Sequence, residues 1–297
     1  MTHAAGAHMR AELTSQPETW ARAAGMGAEQ ALLPAAGSRI AVVGCGTSWF
    51  MAQSYAALRE SAGHGETDAF TASEFPFGRE YDAIVALTRS GTTTEVLELT
   101  ERVKGSIPVV AVLGDDTSPL VDLADSVIAL PFADEKSVVQ TRFATTALAL
   151  FRASLGESLD AAIADAQAVL DGEDDAALGE AEQYSFLGLG WTIGLAHEAA
   201  LKMRESSQSW TESYTAMEYR HGPIAIAAPG RITWQFGRAP GGLEAQVTAT
   251  GARFVQHPID PMADLVCLHR VALDRAVGRG LDPDQPRNLT RSVILDD

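Results

Sequence analysis

The chain has 297 residues, of which 46% are hydrophobic and 21% charged, and its formal net charge is −17. These are the values of a folded globular protein that is long enough for a large core and for two domains. The negative charge argues against nucleic acid and anionic membrane surfaces as partners. We find no apolar signal segment and no apolar run of the ~18–20 residues that span a bilayer, so we predict a cytoplasmic protein.

Cysteines and histidines give no pattern of a disulfide framework or a metal site. The two cysteines, Cys45 and Cys267, are too few to staple a fold and are typical of a reducing compartment. Cys45 lies between two glycines, where we expect a small buried side chain rather than a nucleophile. The seven histidines are scattered without paired ligand spacing, so we predict neither a metal nor another cofactor.

A first α/β domain is predicted over residues 31–170, after an N-terminal segment, residues 1–30, that is helical in part. Buried β-branched runs alternate here with helical patterns, and this alternation is typical of a parallel sheet covered by helices on both faces. The fold class that follows is α/β with a doubly wound, mainly parallel sheet. The predicted strands cover residues 40–43, 81–88, 108–113 and 125–130, and predicted helices begin at residue 94 and cover 138–155 and 159–170.

A second domain is predicted over residues 176–297, after an acidic linker at 171–175. A buried strand, a Gly-x-Gly turn and a helix recur at an offset of 144 residues, at 44–48 and 188–192. Two copies separated by about a domain length suggest two related α/β domains. The second half also has predicted strands at 231–236 and 252–256, a predicted helix at 265–277 and an extended tail at 284–295.

Two loops at the ends of neighbouring strands are candidates for holding an anion. Residues 44–48 (GCGTS) and 88–93 (TRSGTT) each end a strand and open a helix, so their amides and hydroxyls face the crevice above the sheet. Such groups suit a phosphate held without much basic charge. A dinucleotide site would need a third glycine, but position 49 is tryptophan. Helix N-caps without a ligand remain an alternative interpretation of Thr47 and Ser48.

A helical stripe in the second half carries titratable side chains. Glu198, Lys202 and Glu205 have the spacing i, i+4 and i+7, and His221 follows at a predicted helix end. Two carboxylates, an ammonium and an imidazole form a candidate proton-transfer set for a carbonyl substrate. Apolar neighbours favour this interpretation, because embedded charges are costly unless they are paired or used. An exposed ion pair and a helix C-cap are the alternatives for the stripe and for His221.

Six sequence motifs follow one another along the chain. They are CGTS at 45–48, TRSGTTTE at 88–95, EKSVVQT at 135–141, EAALKMRE at 198–205, EYRHGPIA at 218–225 and DQPRNLTRSV at 284–293. Taken together and in this order, they resemble the sugar isomerase (SIS) domain family and, more narrowly, the tandem-SIS isomerase half of glucosamine-6-phosphate synthase and its free-standing, deaminase-like relatives. The segment LTSQPETW at 13–20 is similar to a Gln-Pro segment ahead of the first domain in this family. The resemblance covers nearly the whole chain and implies two SIS domains.

The resemblance implies a sugar phosphate held by the first domain. Arg89 stands where the family's phosphate loop has glutamine, so it adds a cation or changes the ligand. Val138 matches a position that contacts the sugar through its backbone, and Gln140 stands where the family usually has serine. Recognition of the sugar hydroxyls is therefore expected to differ. The residues implied in phosphate binding are Gly46, Thr47, Ser48, Thr88, Arg89, Ser90 and Thr93.

The resemblance also implies the catalytic groups. Glu205 matches the glutamate that moves a proton between C1 and C2, Lys202 lies beside it, and Glu198 supports both. His221 matches the ring-opening histidine, which in the family comes from a neighbouring subunit, so a homodimer is implied. Arg291 matches a tail lysine that forms an imine with the open-chain carbonyl. Because arginine stays protonated, an imine is not expected here, whereas an enediol route remains open. On that route either Lys202 or Arg291 is expected to stabilise the enediolate charge.

The reaction implied is that of a phosphosugar aldose–ketose isomerase acting on an amino sugar phosphate, with deamination as an open addition. The chain has no room for the synthase's glutaminase domain, so we do not expect it to draw ammonia from glutamine itself. Two alternatives stay open: a non-catalytic phosphosugar sensor, and a deglycase of glycated amino acid phosphates. A sensor has no need of Glu205 and His221 together, which favours an enzyme.

Overall fold

The computed structural model describes residues 4–173 and 175–295. The chain divides into two compact units. The first-sheet unit comprises the described residues within 18–135, 140–159 and 290–297, and the second-sheet unit those within 1–17, 136–139 and 160–289. Residues 290–295 thus group with the first sheet although they follow the second sheet in the chain.

The helices and strands alternate along most of the chain. The strands are β1 (Ile40–Gly44), β2 (Thr67–Thr71), β3 (Ala83–Thr88), β4 (Val109–Leu113), β5 (Ser126–Ala129), β6 (Gln183–Gly188), β7 (Thr211–Thr215), β8 (Arg231–Gln235) and β9 (Arg253–Val255). The helices are α1 (Ala7–Thr14), α2 (Gln16–Ala24), α3 (Gly27–Gln30), α4 (Thr47–Ser61), α5 (Thr94–Val103), α6 (Leu120–Leu123), α7 (Arg142–Ser154), α8 (Asp160–Asp171), α9 (Thr192–Ser207), α10 (Leu243–Ala249) and α11 (Pro261–Gly278). Of the helices described, none combines the length and the apolar character needed to cross a bilayer.

The first sheet is parallel, with the strand order β2-β1-β3-β4-β5. Every residue of β1, β3 and β4 is buried, as expected when helices cover both faces. A core cluster joins Val43 and Ile84 of the sheet to Val96 and Leu99 of α5. The predicted α/β class with a parallel sheet flanked by helices is confirmed.

The second sheet is also parallel, with the order β7-β6-β8-β9, which repeats the order of the first four strands of the first sheet. The strand–turn–helix unit recurs with the same backbone: Gly46 has φ 53° and Gly190 has φ 55°. A Cβ atom on Gly44 would lie 2.8 Å from Ser48, and one on Gly188 would lie 2.3 Å from the backbone of Thr192. Only glycine permits these approaches, which accounts for the repeated Gly-x-Gly.

Two helices begin four residues away from their predicted starts. Helix α7 starts at Arg142, not at residue 138, because the Glu135 carboxylate accepts the amides of Thr141 (2.7 Å) and Arg142 (2.8 Å) and so caps the helix there. Helix α11 starts at Pro261, before residue 265, because Asp260 caps it through the amide of Met262 (2.8 Å).

Candidate functional site

The first candidate loop joins β1 to α4. Thr47 and Ser48 form the first turn of the helix and are 4% and 3% exposed. Within the described ranges their hydroxyls make no hydrogen bond, although both side chains are buried. Gly46, in a conformation that favours glycine, turns the chain between them and the strand. The loop therefore presents helix N-terminal amides and two unused hydroxyls at one point.

The second candidate loop follows the neighbouring strand β3. The hydroxyl of Thr88 accepts the amide of Gly91 (3.3 Å), and the hydroxyl of Ser90 accepts the amide of Thr92 (3.2 Å). These bonds hold the turn in a fixed shape. A Cβ atom on Gly91 would lie 1.9 Å from the Ser118 hydroxyl, so glycine is required there. Because β1 and β3 are adjacent and parallel, both loops lie at the same edge of the first sheet.

The C-terminal tail covers the second loop. The Ser292 hydroxyl lies 3.1 Å from the Ser90 hydroxyl and 3.3 Å from the Thr93 hydroxyl. The Thr94 amide donates to the carbonyl of Val293 (3.2 Å), and the Leu295 amide donates to the Thr94 hydroxyl (2.9 Å). Two hydroxyls predicted to bind phosphate thus converge on one tail hydroxyl. The sequence reasoning did not single out Ser292, although the DQPRNLTRSV motif contains it.

Arg89 and Arg291, the two arginines that depart from the family pattern, both make hydrogen bonds that hold this tail. Arg89 is 2% exposed, and its guanidinium donates to the carbonyl of Arg291 (2.8 Å). The Arg291 guanidinium lies 2.7 Å from the Asp134 carboxylate and also donates to the carbonyl of Glu135. Arg291 is therefore tied by a carboxylate within the first-sheet unit, and Arg89 holds its backbone.

The two positions implied in sugar contacts lie in different surroundings. The amide of Val138 donates to the carbonyl of Asp284 (3.2 Å), and both belong to the second-sheet unit. Gln140 belongs to the first-sheet unit. Its Oε1 atom is buried and has no hydrogen-bond partner in the part of the chain that the structure describes. A buried amide oxygen of this kind is an acceptor that a ligand hydroxyl or amine can satisfy.

The glutamate–lysine stripe of α9 is buried, which excludes the interpretation as a solvent-exposed ion pair. The Lys202 ammonium contacts the Glu205 carboxylate directly and lies 3.5 Å from the Glu198 carboxylate. The side chains of Glu198 and Lys202 are each 1% exposed, whereas that of Glu205 is 20% exposed. Glu205 is the member of the cluster that reaches the surface, with the other two behind it.

His221 lies apart from that cluster in sequence and in environment. It ends a short 3₁₀ turn, Glu218–His221, and Gly222 follows with φ 133°. The imidazole is exposed and makes no hydrogen bond with any residue that the structure describes. The ring is accessible to a ligand or to a second protein molecule.

Residues 33–155 match the family model described as the SIS domain. An isomerizing glutamine–fructose-6-phosphate aminotransferase of Nostoc sp. (strain PCC 9229) is 27% identical over an alignment that covers 87% of this chain and 52% of that protein. The chain thus spans about half the length of the curated relatives it matches. The resemblance drawn from the motifs is confirmed.

Two solved structures have a similar fold. Glucosamine-6-phosphate deaminase from Thermotoga maritima has a TM-score of 0.82 at 23% identity, over 97% of this chain and 100% of that one. The C-terminal domain of the aminotransferase from Francisella tularensis has a TM-score of 0.76 at 21% identity, over 94% of this chain and 98% of that one. At these identities the likeness establishes the fold.

Proposed function

We propose that this protein, whose residues 33–155 match the SIS domain model, is a phosphosugar aldose–ketose isomerase acting on an amino sugar phosphate of the glucosamine-6-phosphate type. We propose further that the second-sheet unit is a second SIS domain, which its repeated strand order and Gly-x-Gly turn support. The observation that carries the enzymatic proposal is the buried Glu198–Lys202–Glu205 cluster. A module that only binds a sugar has no use for three charged side chains on the buried stripe of a core helix.

The sugar phosphate binds, in this proposal, at the loops after β1 and β3. The Ser90 and Thr93 hydroxyls already converge on a single oxygen, that of Ser292, at 3.1 and 3.3 Å. A phosphate oxygen at that point would receive the same bonds. The unused hydroxyls of Thr47 and Ser48 and the amides at the start of α4 supply further donors.

Glu205 is the group to which we assign the proton transfer. Its carboxylate removes the proton from C2 of the open-chain aldose. The C2–H electron pair forms the C1=C2 double bond, and the carbonyl π electrons move to O1 to give an enediolate. The Glu205 carboxyl, whose proton exchanges with water, then delivers a proton to C1, while the C2 substituent passes its own proton to O1, so that C2 becomes the carbonyl or imine carbon. We assign Lys202 to the enediolate charge, since burial strengthens the field of its ammonium and Arg291 is already paired with Asp134. No imine is formed with a protein side chain.

His221 assists ring opening in this scheme, and we propose that it does so in a homodimer. Its exposed imidazole supports a role in contact with a ligand or a second copy. Replacement of His221 by glutamine should slow turnover of the cyclic sugar more than turnover of an open-chain analogue.

The decisive test is proton exchange in deuterated water, followed by NMR at C2 of glucosamine 6-phosphate and at C1 of fructose 6-phosphate. The wild-type protein should exchange these protons. Glu205→Gln should lose exchange but retain binding in calorimetry. Glu244→Gln, an exposed glutamate of α10, is the matched control and should behave as wild type.

Other outcomes assign a different function. Binding without exchange in the wild-type protein would make it a phosphosugar sensor, and release of ammonia would make it a deaminase. Release of an amino acid from a glycated amino acid phosphate would make it a deglycase. If neither sugar phosphate binds, the proposal is wrong.

A further inference from the structure

The second-sheet unit contains a groove that the proposed function does not use. The groove lies between helices α8 and α11 and is also lined by the 3₁₀ segment Ala176–Gly179 and by residues 257–259. Its volume is about 770 Å³, which is within the range of small-molecule sites. None of the described residues that line it belongs to the loops after β1 and β3 or to the Glu198–Lys202–Glu205 cluster. The groove is therefore a separate candidate site.

The groove is long, and its walls are mainly apolar. The lining positions of α11 run from Cys267 to Gly278, a distance of about 17 Å at a helical rise of about 1.5 Å per residue. Val169 of α8, Val271 of α11 and Ile259 are half-buried in its walls. A compact polar ligand would leave most of these side chains in contact with water, whereas an extended alkyl chain covers them. The shape and the apolar walls favour an alkyl chain.

Two arginines of α11 tie this helix to the facing walls. The Arg270 guanidinium donates to the carbonyls of Val169 and Gly172 (3.0 Å), and that of Arg275 donates to the carbonyl of Gly179. These bonds fix the walls relative to one another, so the groove is formed before a ligand arrives. They also occupy three backbone oxygens beside the groove. A peptide would need such partners, and an alkyl chain does not.

A cation with free hydrogen-bond donors lies at one end of the groove. Arg279 lines the groove and is exposed. Its Nη1 donates to the carbonyl of Ser207 (3.0 Å), and its Nε and Nη2 make no hydrogen bond with any residue that the structure describes. These two nitrogens share one edge of the guanidinium, and such an edge binds both oxygens of a carboxylate. The groove thus combines apolar walls with an anion-binding end.

Acidic side chains at the groove make an amine head group the competing choice. Three of the five described acidic side chains that line it are already hydrogen-bonded or ion-paired within the protein. The other two have no partner among the described residues, but both are exposed, where water and salt screen their charges. The bonded carboxylates are those of Asp165, Asp175 and Asp274, and the exposed ones are those of Glu173 and Glu180.

We propose that this groove binds a long-chain carboxylate, with its alkyl chain along α11 and its carboxylate on Arg279. The inference goes beyond the proposed function and does not depend on it. Covering the walls at Val169 and Val271 supplies most of the affinity, about fourfold for each methylene that is buried. The guanidinium sets the direction in which the chain lies.

A series of ligands tests the chain and the head group separately. Octanoate, decanoate and dodecanoate are titrated into the full-length protein by calorimetry, below the concentrations at which they form micelles. One site should bind each of them, about 15-fold more tightly for every two added methylenes. Decanol and decylamine have the same chain as decanoate and should bind at least about fivefold more weakly. An affinity independent of chain length, or tighter binding of decylamine than of decanoate, overturns the proposal.

Two variants of α11 locate the chain. Val271→Asp places a charge on the apolar wall and should weaken binding of dodecanoate by at least about tenfold. Val277→Asp is the matched control on the same helix, at a valine that is 39% exposed and does not line the groove, and it should bind as wild type. Ala168→Trp fills the groove from an exposed position of α8 and gives the same test if Val271→Asp does not fold. Equal affinities of Val277→Asp and the groove variants contradict the site.

A third position locates the carboxylate. Arg279→Gln should weaken binding of decanoate by about fivefold, because the charged edge is lost, and should leave binding of decanol unchanged. Equal affinities of wild type and Arg279→Gln for decanoate would show that the head group does not bind there and would overturn the proposal. None of these measurements depends on turnover of a sugar phosphate, so their outcome is independent of the proposed reaction.

Discussion

The loops at 44–48 and 188–192 share a backbone and differ in what their side chains do. Gly46 and Gly190 have nearly the same φ, and each loop joins a buried strand to a long helix. In the second loop the Thr192 hydroxyl accepts the amide of Leu189 (2.9 Å) and donates to the carbonyl of Phe236 (3.1 Å). In the first loop no described residue uses the hydroxyls of Thr47 and Ser48. The second turn is closed by its own hydroxyl, whereas the first leaves two hydroxyls unbonded, as the proposed phosphate site requires.

The helices that follow these loops also differ, and here the second unit carries the charged side chains. At the offset of 144 residues, Glu198, Lys202 and Glu205 of α9 correspond to Ser54, Leu58 and Ser61 of α4. The helix behind the open loop is thus uncharged on this stripe, and the helix behind the closed loop carries the buried charges. In the proposed function, the first unit thus uses polar side chains in its loop for binding, and the second unit uses charged side chains on its helix for acid–base chemistry.

The largest expected effect comes from removing the charge of Lys202, whose counterpart in α4 is the uncharged Leu58. Lys202→Met leaves the carboxylate of Glu198 buried without its cation, so the free energy of unfolding should fall by about 3–5 kcal/mol. Urea denaturation followed by circular dichroism measures this. Lys104→Met, at an exposed lysine, should change it by less than about 0.5 kcal/mol. Adding Glu198→Gln to Lys202→Met should recover part of the loss, and equal losses at Lys202 and Lys104 would contradict the buried cluster.

The next effect is a pH dependence of stability in the second-sheet unit. Burial lowers the pKa of His269 to about 3 in the folded protein, against its usual 6.5. Between these pH values the imidazole is protonated in the unfolded chain and neutral in the folded one. Between these values stability falls with decreasing pH, by up to about 1.4 kcal/mol per pH unit from this residue alone. His269→Gln should therefore lose less stability than wild type between pH 6.5 and 4.5. His64→Gln should follow the wild-type curve; parallel curves for all three would refute the assignment.

Removing one hydroxyl from each loop tests the difference between the two loops. Ser48→Ala should weaken binding of the sugar phosphate by roughly 10- to 100-fold, the usual worth of a hydrogen bond to a charged group, with little change in stability. Thr192→Val should do the reverse, lowering the free energy of unfolding by about 1–2 kcal/mol without affecting the dissociation constant. For each variant, calorimetry gives the dissociation constant and urea denaturation gives the free energy of unfolding. Matching behaviour of the two variants would remove the distinction between an open and a closed loop.

The smallest effect concerns the tail. If the phosphate takes the position of the Ser292 hydroxyl, then Ser292→Ala should strengthen phosphate-ligand binding by about two- to fivefold, the equivalent of one weak hydrogen bond lost by the competing tail. Ser106→Ala, which removes a hydroxyl bonded to the carbonyl of Val103, serves as the control. Weaker binding in Ser292→Ala would mean that this hydroxyl assists the phosphate.

Patterns of local origin predicted most of the fold. The β-branched runs at 40–43 and 108–113 predicted buried parallel strands, and the spacing of Glu198, Lys202 and Glu205 predicted one stripe on one helix. The strands β2 and β7 were not predicted. Their sequences, TDAFT and TESYT, are short and polar, and both strands lie at a sheet edge, where half-buried residues give a weak periodic signal.

Contacts distant in sequence were not predicted. Ser90 and Ser292 are 202 residues apart, and Gln16 and His269 are 253 apart, so no periodicity or spacing relates them. The start of α7 at Arg142 likewise depends on a side chain, Glu135, several residues before the helix. The sequence does mark these segments through the DQPRNLTRSV and LTSQPETW motifs, but only the folded chain reveals the partners of their side chains.

The hydrogen bonds between the tail and Thr94 offer a second way to measure where the tail lies. The amide hydrogens of Thr94 and Leu295 are each held by an acceptor on the opposite segment, so both should exchange slowly with deuterium while the tail lies on the loop. Peptides from the two segments, analysed by mass spectrometry, would then report the fraction of time the tail spends there, and a bound sugar phosphate that displaces it would raise both exchange rates together.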